Sequence, residues 1–223
     1  MHSTSGHAGI GFPRLYDALL FALTRGKEDA YRRTIIDIAG AGSGSHVLYL
    51  GCGTGTQAGI MAARVQPGGS VTGLDVNPNM VAAARRKTGR AVGSITIVEG
   101  DCTAMPFADE RFDVVTVTTV LHMLSEADQL ICLAEAKRVL KPNGRLLLID
   151  YAGDTALRRH LSARHGPHGK FDLHRLRDSV AALGMHEIET GALGWLSLSY
   201  IAARRPASEN VSNRSGPPRA DTA

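Results

Sequence analysis

Apolar residues recur along this chain with two different periods, and the change from one to the other marks out the fold. Residues 14–40, "RLYDALLFALTRGKEDAYRRTIIDIAG", carry apolar side chains at helical spacing with a break near Gly26. That spacing predicts two N-terminal helices, the second closing at the glycines around Gly40. Short apolar runs then alternate with helical stretches. "HVLYL" precedes a helix from about Thr56 to Arg64, and "SVTGLD" one from about Asn77 to Lys87; "SITIVEG" leads into a loop, "FDVVTVTTV" precedes a helix from about Ser125 to Leu140, and "GRLLLIDY" comes next. Continuously apolar strands separated by helices belong to a parallel sheet covered on both faces.

After Tyr151 a polar, basic stretch precedes a helix from about Asp172 to Leu183, and "MHEIETGA" and "WLSLSYIAARR" then come with no helix between them. Two strands joined by a short Gly-containing link predict an antiparallel hairpin at one edge. The expected fold class is α/β: a doubly wound, mostly parallel seven-stranded sheet with a C-terminal antiparallel hairpin. A chain of 223 residues, 43% hydrophobic, buries a full core as one domain, placed at residues 13–205. Residues 1–12 and 206–223 lack periodicity and read as disordered ends.

Composition narrows the setting. No run approaches the roughly 18 apolar residues of a membrane span, and the first residues lack the basic and apolar regions of an export signal. Cys52, Cys102 and Cys132 are far apart and form no CxxC, so neither a disulfide framework nor a zinc knuckle is expected, and a reducing cytoplasm fits. The net charge of +4 comes largely from residues 158–177. With 5% aromatics and no recognisable nucleic-acid module, nucleic acid is not expected as a partner.

The stretch with most chemistry is "VLYLGCGTGTQAG", residues 47–59, where an apolar strand ends in glycines. In open α/β sheets a ligand sits beyond the carboxyl ends of the strands, and glycines in the first turn let main chain approach it. Asp75 closes the next strand about 20 residues on, where a carboxylate can accept from ribose hydroxyls. No Lys comes after the glycines as a phosphate loop requires, and Thr56 stands where a dinucleotide turn has its third glycine. YxxxK is absent. A ligand with a nucleoside and no pyrophosphate is indicated.

These motifs, taken in order, resemble the class I S-adenosylmethionine-dependent methyltransferases of the ubiquinone/menaquinone-biosynthesis-like branch (methyltransferase type 11/25), over about Tyr16 to Arg205. "VLYLGCGTG" resembles the family's VLDLGCGTG. "VTGLDVNPNMVAAAR" resembles its ribose-binding strand and helix, "VEGDCTAMPFADERFDVV" its GDA..LPF.D..FD signature, and "EAKRVLKPNGRLLLID" its RVLKPGG strand entry. The resemblance implies S-adenosyl-L-methionine as cofactor. It sets Gly51, Cys52, Gly53 and Gly55 along the methionine and ribose portion, Asp75 on the ribose hydroxyls and Val76 near the adenine. Asp101 would accept from the adenine amine, with Cys102 contacting the ring. Thr118 falls in "TVTTVLHMLSE" at the end of the fourth strand, where the resemblance places the methyl-facing wall. Tyr49 replaces an acid that in most relatives helps hold the cofactor's ammonium, and Tyr16 would close over the cofactor. Each has a plainer reading: Asp75 and Asp101 as caps of the next segments of chain, Cys102, Tyr49 and Tyr16 as packing.

A methyl group on a sulfonium is already activated, so the protein mainly aligns an acceptor and excludes water. Where the acceptor loses a proton, a His near neutral pKa is suited to take it, and His122 in "TVTTVLHMLSE" is the candidate base. Its plainer reading is packing at the cleft mouth. The segment lacks DPPY or NPPY, which disfavours exocyclic amines of adenine and amide nitrogens as acceptors. His160, His165, His168 and His174 match no zinc spacing and lack thiolates, so no metal is expected and the stretch reads as a solvated basic face. The expected activity is methyl transfer to a small molecule, lipophilic in character. The alternatives are a phospholipid headgroup N-methyltransferase at a membrane surface and a cofactor-binding protein without catalysis. Peripheral membrane contact stays open, and oligomeric state is not legible.

Overall fold

The computed structural model describes residues 13–91, 93–151, 172–195 and 197–207. The elements run α1 (Pro13–Leu23), α2 (Glu28–Ala39), β1 (His46–Leu50), α3 (Thr56–Arg64), β2 (Ser70–Asp75), α4 (Pro78–Thr88), β3 (Ser94–Glu99) and β4 (Phe112–Thr118). A 3-10 turn (Leu121–Met123) comes next, then α5 (Glu126–Val139), β5 (Leu140–Tyr151), α6 (Leu173–Ala182), β6 (His186–Ala192) and β7 (Leu198–Arg204). The sheet order is β3-β2-β1-β4-β5-β7-β6. The first five strands are parallel, and β7 inserts antiparallel between β5 and β6. The seven strands and the antiparallel C-terminal pair agree with the periodicity, with β6 as the edge.

Local chemistry stops and starts the helices where the sequence places its signals. Gly40 takes a left-handed φ of 67° to end α2. Asn77 accepts from the N–H groups of Asn79 and Met80 ahead of Pro78, Ser125 accepts from Asp128 N–H, and Asp172 accepts from His174 and Arg175. Two boundaries differ from expectation. β5 starts at Leu140, directly after α5, because a turn at Asn143 (φ 61°) shifts the register with β4 between Phe112 and Val114. β7 starts at Leu198, since Ser197 at φ 57° breaks the extension beyond Trp195. His160, His165, His168 and both chain ends lie outside the described residues, whereas His174 sits in the first turn of α6.

Alternation along β1 divides the core into two layers. Leu48 and Leu50 face the cluster built with Leu133, Leu148, Leu176 and Ile201, while Val47 and Tyr49 face the one built with Ile35, Met61, Val71 and Ala202. The order reverses between β1 and β4, so neighbouring connections leave on opposite faces and a crevice opens beyond the strand ends. Pairing of Leu50 with both Leu74 and Val117 sets the next residues, Gly51, Asp75 and Thr118, at one level of the sheet.

Candidate active site

The turn after β1 is shaped by main chain. Gly51, Gly53 and Gly55 all have left-handed φ, at 69°, 52° and 81°. Gly51 and Cys52 N–H groups both donate to Leu74 C=O, at 2.8 and 3.1 Å, folding the turn toward β2. A Cβ on Gly51 would stand 2.2 Å from Val120 Cγ2, so only glycine fits there. One on Gly55 would meet Ala84 and Thr88 of α4 at 3.0 Å, which shows how closely α3 and α4 approach. Cys52 packs its sulfur onto β2 at Gly73, and burial, with Asp75 nearby, pushes its thiol up to about 12. That cysteine is a packing residue with an inert thiol.

Asp75 ties the turn to the second strand. Its Oδ2 accepts from Gly53 N–H at 2.8 Å and its Oδ1 from Asn77 N–H at 2.9 Å. Burial raises the carboxyl above its usual range, with the N–H groups of Asn77, Gly53 and Val76 pulling the other way. Val76, beside it, is 46% exposed at the rim. Asp101 Oδ1 accepts from Thr103 N–H and Oγ1–H, both at 2.8 Å, which is a local turn. Cys102 is half-buried against Cys132, whose thiol is driven up by its contact with Cys102 and by burial.

An aromatic wall faces the glycines. Tyr16 on α1 lies over the turn, 3.8 Å from where a Gly53 Cβ would be. Tyr31, Tyr49 and Trp195 pack in the same layer, Tyr31 and Trp195 edge to face at 6.3 Å between ring centres. Burial raises the phenols of Tyr16, Tyr31 and Tyr49, and pushes that of Tyr151 up to about 12, so all four stay neutral. Thr118 Oγ1 is buried near the Tyr49 hydroxyl without reaching hydrogen-bond geometry, leaving it unpartnered. Arg32, 4% exposed, closes this end; Glu28 Oε1 accepts from its Nε and Nη2 at 2.8 and 2.5 Å, whereas its Nη1 has a 3.4 Å contact to Gln57. Helix α1 is fastened here by Asp17, which accepts from Thr54 Oγ1–H at 2.6 Å and from Lys87 Nζ at 2.8 Å; Lys87 also donates to Thr56 at 2.6 Å.

His122 sits in the 3-10 turn after β4, held by Asp150 at the end of β5. Asp150 Oδ1 accepts from His122 Nδ1 at 2.8 Å and Oδ2 from His122 N–H at 3.0 Å, and Tyr151 N–H donates to Oδ1 at 2.8 Å. The carboxylate is fully buried and the ring keeps 24% of its surface open. Two backbone N–H groups already donate to this carboxylate, and an ionised carboxylate only accepts, so the contact assigns a hydrogen to Nδ1; among the described residues Nε2 has no hydrogen-bond partner. The Tyr151 ring meets the imidazole edge to face at 5.4 Å, fixing its tilt.

Sequence reasoning singles out the glycines, Asp75, Tyr16, Tyr49 and His122 as candidates, and the fold sets them at one end of the sheet. It misses Asp150, Arg32, Asp17 and Tyr151. The one signal available for Asp150 is an acid ending the apolar run "RLLLID", the same pattern that singles out Asp75.

The residues present fit a nucleoside cofactor with an amino-acid tail. The glycine turn leaves main chain bare, Asp75 offers carboxylate oxygens at its rim, and the unpartnered Thr118 hydroxyl and underused Arg32 Nη1 offer donors at the other end. Comparison with known proteins agrees. A family model described as a methyltransferase domain matches residues 48–148. The ubiquinone/menaquinone biosynthesis C-methyltransferase UbiE of Pseudomonas putida (strain GB-1) is 35% identical over 142 residues, covering 63% of this chain and 55% of that protein. The chain thus spans about half the length of the curated relatives it matches. Among solved structures, an S-adenosylmethionine-dependent methyltransferase from Aquifex aeolicus superposes with a TM-score of 0.67 at 20% identity, covering 86% of this chain and 98% of that one. Phosphoethanolamine N-methyltransferase 2 of Haemonchus contortus, in complex with S-adenosyl-L-methionine, gives 0.70 at 18% identity, covering 85% and 57%. At such identities the two structures bear on the fold.

Proposed function

We propose that this chain is a class I S-adenosylmethionine-dependent methyltransferase of the ubiquinone/menaquinone-biosynthesis-like branch, and that it methylates a small, lipophilic acceptor that gives up a proton to His122. The observation that carries the reading is the His122–Asp150 pair at the same strand ends as the glycine turn and Asp75. When bound, the cofactor supplies an activated methyl group on a sulfonium. Gly51, Gly53, Gly55 and Asp75 hold its nucleoside and Arg32 its carboxylate. Tyr49 offers a neutral hydroxyl where relatives have an acid, which lowers affinity by about one to two decades for the roughly 1.5–3 kcal/mol of a charge-assisted hydrogen bond. Tyr16, Tyr31 and Tyr151 exclude water and give the acceptor an apolar, aromatic berth. Asp150 fixes the imidazole so that Nε2 faces the acceptor and takes its proton, while the buried carboxylate offsets the charge gained.

The activity named for the Pseudomonas relatives, C-methylation in ubiquinone and menaquinone biosynthesis, supports a lipophilic acceptor for this chain. The headgroup N-methyltransferase alternative draws on the amphipathic N-terminal helices and on basic residues 158–177, most of which lie outside the described residues. We place the protein in the cytoplasm on its three free cysteines. Among the described residues, no helix is long and apolar enough to cross a membrane.

Calorimetry and turnover test the reading together. S-adenosylhomocysteine binds the wild type with a Kd well below about 1 mM; failure to bind at that level removes the methyltransferase reading. With an acceptor found by mass spectrometry from a metabolite panel, His122→Gln lowers kcat by about 10²-fold or more while leaving S-adenosylhomocysteine affinity within about twofold. An unchanged kcat across neutral pH would dismiss His122 as the base.

A further inference from the structure

Helix α1 has one face fitted to the protein and the other made of hydrocarbon. Its inward face is Tyr16, Asp17 and Leu20, which meet the glycine turn, Lys87 and the core. At 100° per residue, Leu15, Ala18, Leu19 and Ala22 lie opposite, with Arg14 at their edge and Phe21 and Leu23 on the two flanks, and these six apolar residues are exposed. Leu15 and Phe21 are 58% and 59% exposed, Leu19 and Leu23 41% and 37%. A contiguous apolar helix face of this kind is a site of association.

Two features identify the surface that covers it. The first is charge: Arg25 and Lys27 are exposed directly after the helix, Arg33 one turn further, and Arg86 and Arg90 at the end of α4, the helix on which α1 packs. Against these, Asp29 is the exposed acid of that stretch, and Asp17 is turned inward onto Lys87 and Thr54. The second is size. Eleven residues of helix make a strip about 16 Å long and 10 Å wide, some 160 Å² in projection, against about 800 Å² per partner for a stable protein interface. A second copy would bring the same cations against themselves across too small an area. An anionic bilayer supplies the opposite charge and receives short amphipathic helices by their apolar faces.

We propose that α1 docks this protein on anionic lipid bilayers, its Leu15, Leu19, Phe21 and Leu23 face entering the acyl boundary and Arg25, Lys27 and the α4 arginines resting on the headgroups. The docking face backs directly onto Tyr16, so the membrane lies on the outer side of the same helix that covers the glycine turn. Docking of this kind depends neither on the identity of the acceptor nor on His122.

Co-sedimentation of the full chain with phosphatidylcholine vesicles, with and without about 30% phosphatidylglycerol, tests it. The wild type pellets with the anionic vesicles at low salt, less with added salt, and little with pure phosphatidylcholine. Leu15→Glu with Leu19→Glu lowers binding by at least about tenfold, with the wild-type circular dichroism and S-adenosylhomocysteine affinity retained. Arg25→Glu with Lys27→Glu leaves the apolar face intact and also weakens binding to anionic vesicles, which serves should the leucine pair fail to fold. Wild type that stays in the supernatant with both vesicle types overturns the proposal. So do variants that pellet like wild type, or a dimer in sedimentation velocity that the leucine pair abolishes in a protein without vesicle binding.

Discussion

The two sides of the crevice are built by opposite means. On the glycine side, positions come from main chain within a short span: Gly51 to Gly55 take left-handed φ, and Asp75 reaches back 22 residues to Gly53 N–H. On the aromatic side, Tyr16, Tyr31, Tyr49, Tyr151 and His122 arrive from α1, α2, β1, β5 and the turn after β4, and they meet by side chain alone. Backbone conformation leaves no substitute for glycine where a Cβ has no room, whereas a wall of packed rings can be re-cut residue by residue without moving the turn. Under the proposed function, the glycine side would recognise the cofactor shared by a family of reactions, and the aromatic side would set acceptor preference.

Three changes test how separate the two sides are. Gly51→Val has the largest effect, because the new side chain meets Val120 in a φ region closed to branched residues. Strain of about 1–3 kcal/mol plus the clash abolishes S-adenosylhomocysteine binding in calorimetry and lowers the melting temperature. Asp75→Asn comes next, weakening that affinity by about one to two decades for a lost charge-assisted hydrogen bond. Its pH signature sharpens the point. Burial raises the Asp75 carboxyl, so wild-type affinity falls as pH drops through this raised range and the acceptor charge is lost, while the Asn variant stays flat. The sign for stability is opposite: the charged form is disfavoured by folding, so this group's contribution is fully present at low pH and is lost as pH rises through its folded value. Smallest of all is Tyr151→Phe, which shifts the acceptor KM and leaves S-adenosylhomocysteine affinity within about twofold. An equal loss of cofactor affinity there would show that the two sides act as one.

Legibility in the sequence divides along the same line. The glycine turn, Asp75 and the helix caps at Asn77, Ser125 and Asp172 are readable because each couples residues a few positions apart through turn chemistry. The five inner strands are readable because both their faces are largely buried and each reads as a nearly continuous apolar run. Asp150 is not readable as the partner of His122, since 28 residues and the whole of α5 separate them. Nor is Asp17 with Lys87, 70 residues apart, where each looks like an ordinary surface charge. The start of β5 escapes sequence reasoning because "LKPNG" reads as a turn, which it contains, while its first residue already pairs with Phe112.

The fastening of α1 has a kinetic meaning. Lys87, Asp17 and the hydroxyls of Thr54 and Thr56 join at a point open to solvent, with Lys87 and Asp17 side chains 40% and 35% exposed. Dissolved ions compete with such contacts more readily than with packed carbon. For a nucleoside held beneath that helix, as proposed, the expected outcome in stopped-flow release is a dwell time that shortens as salt is added.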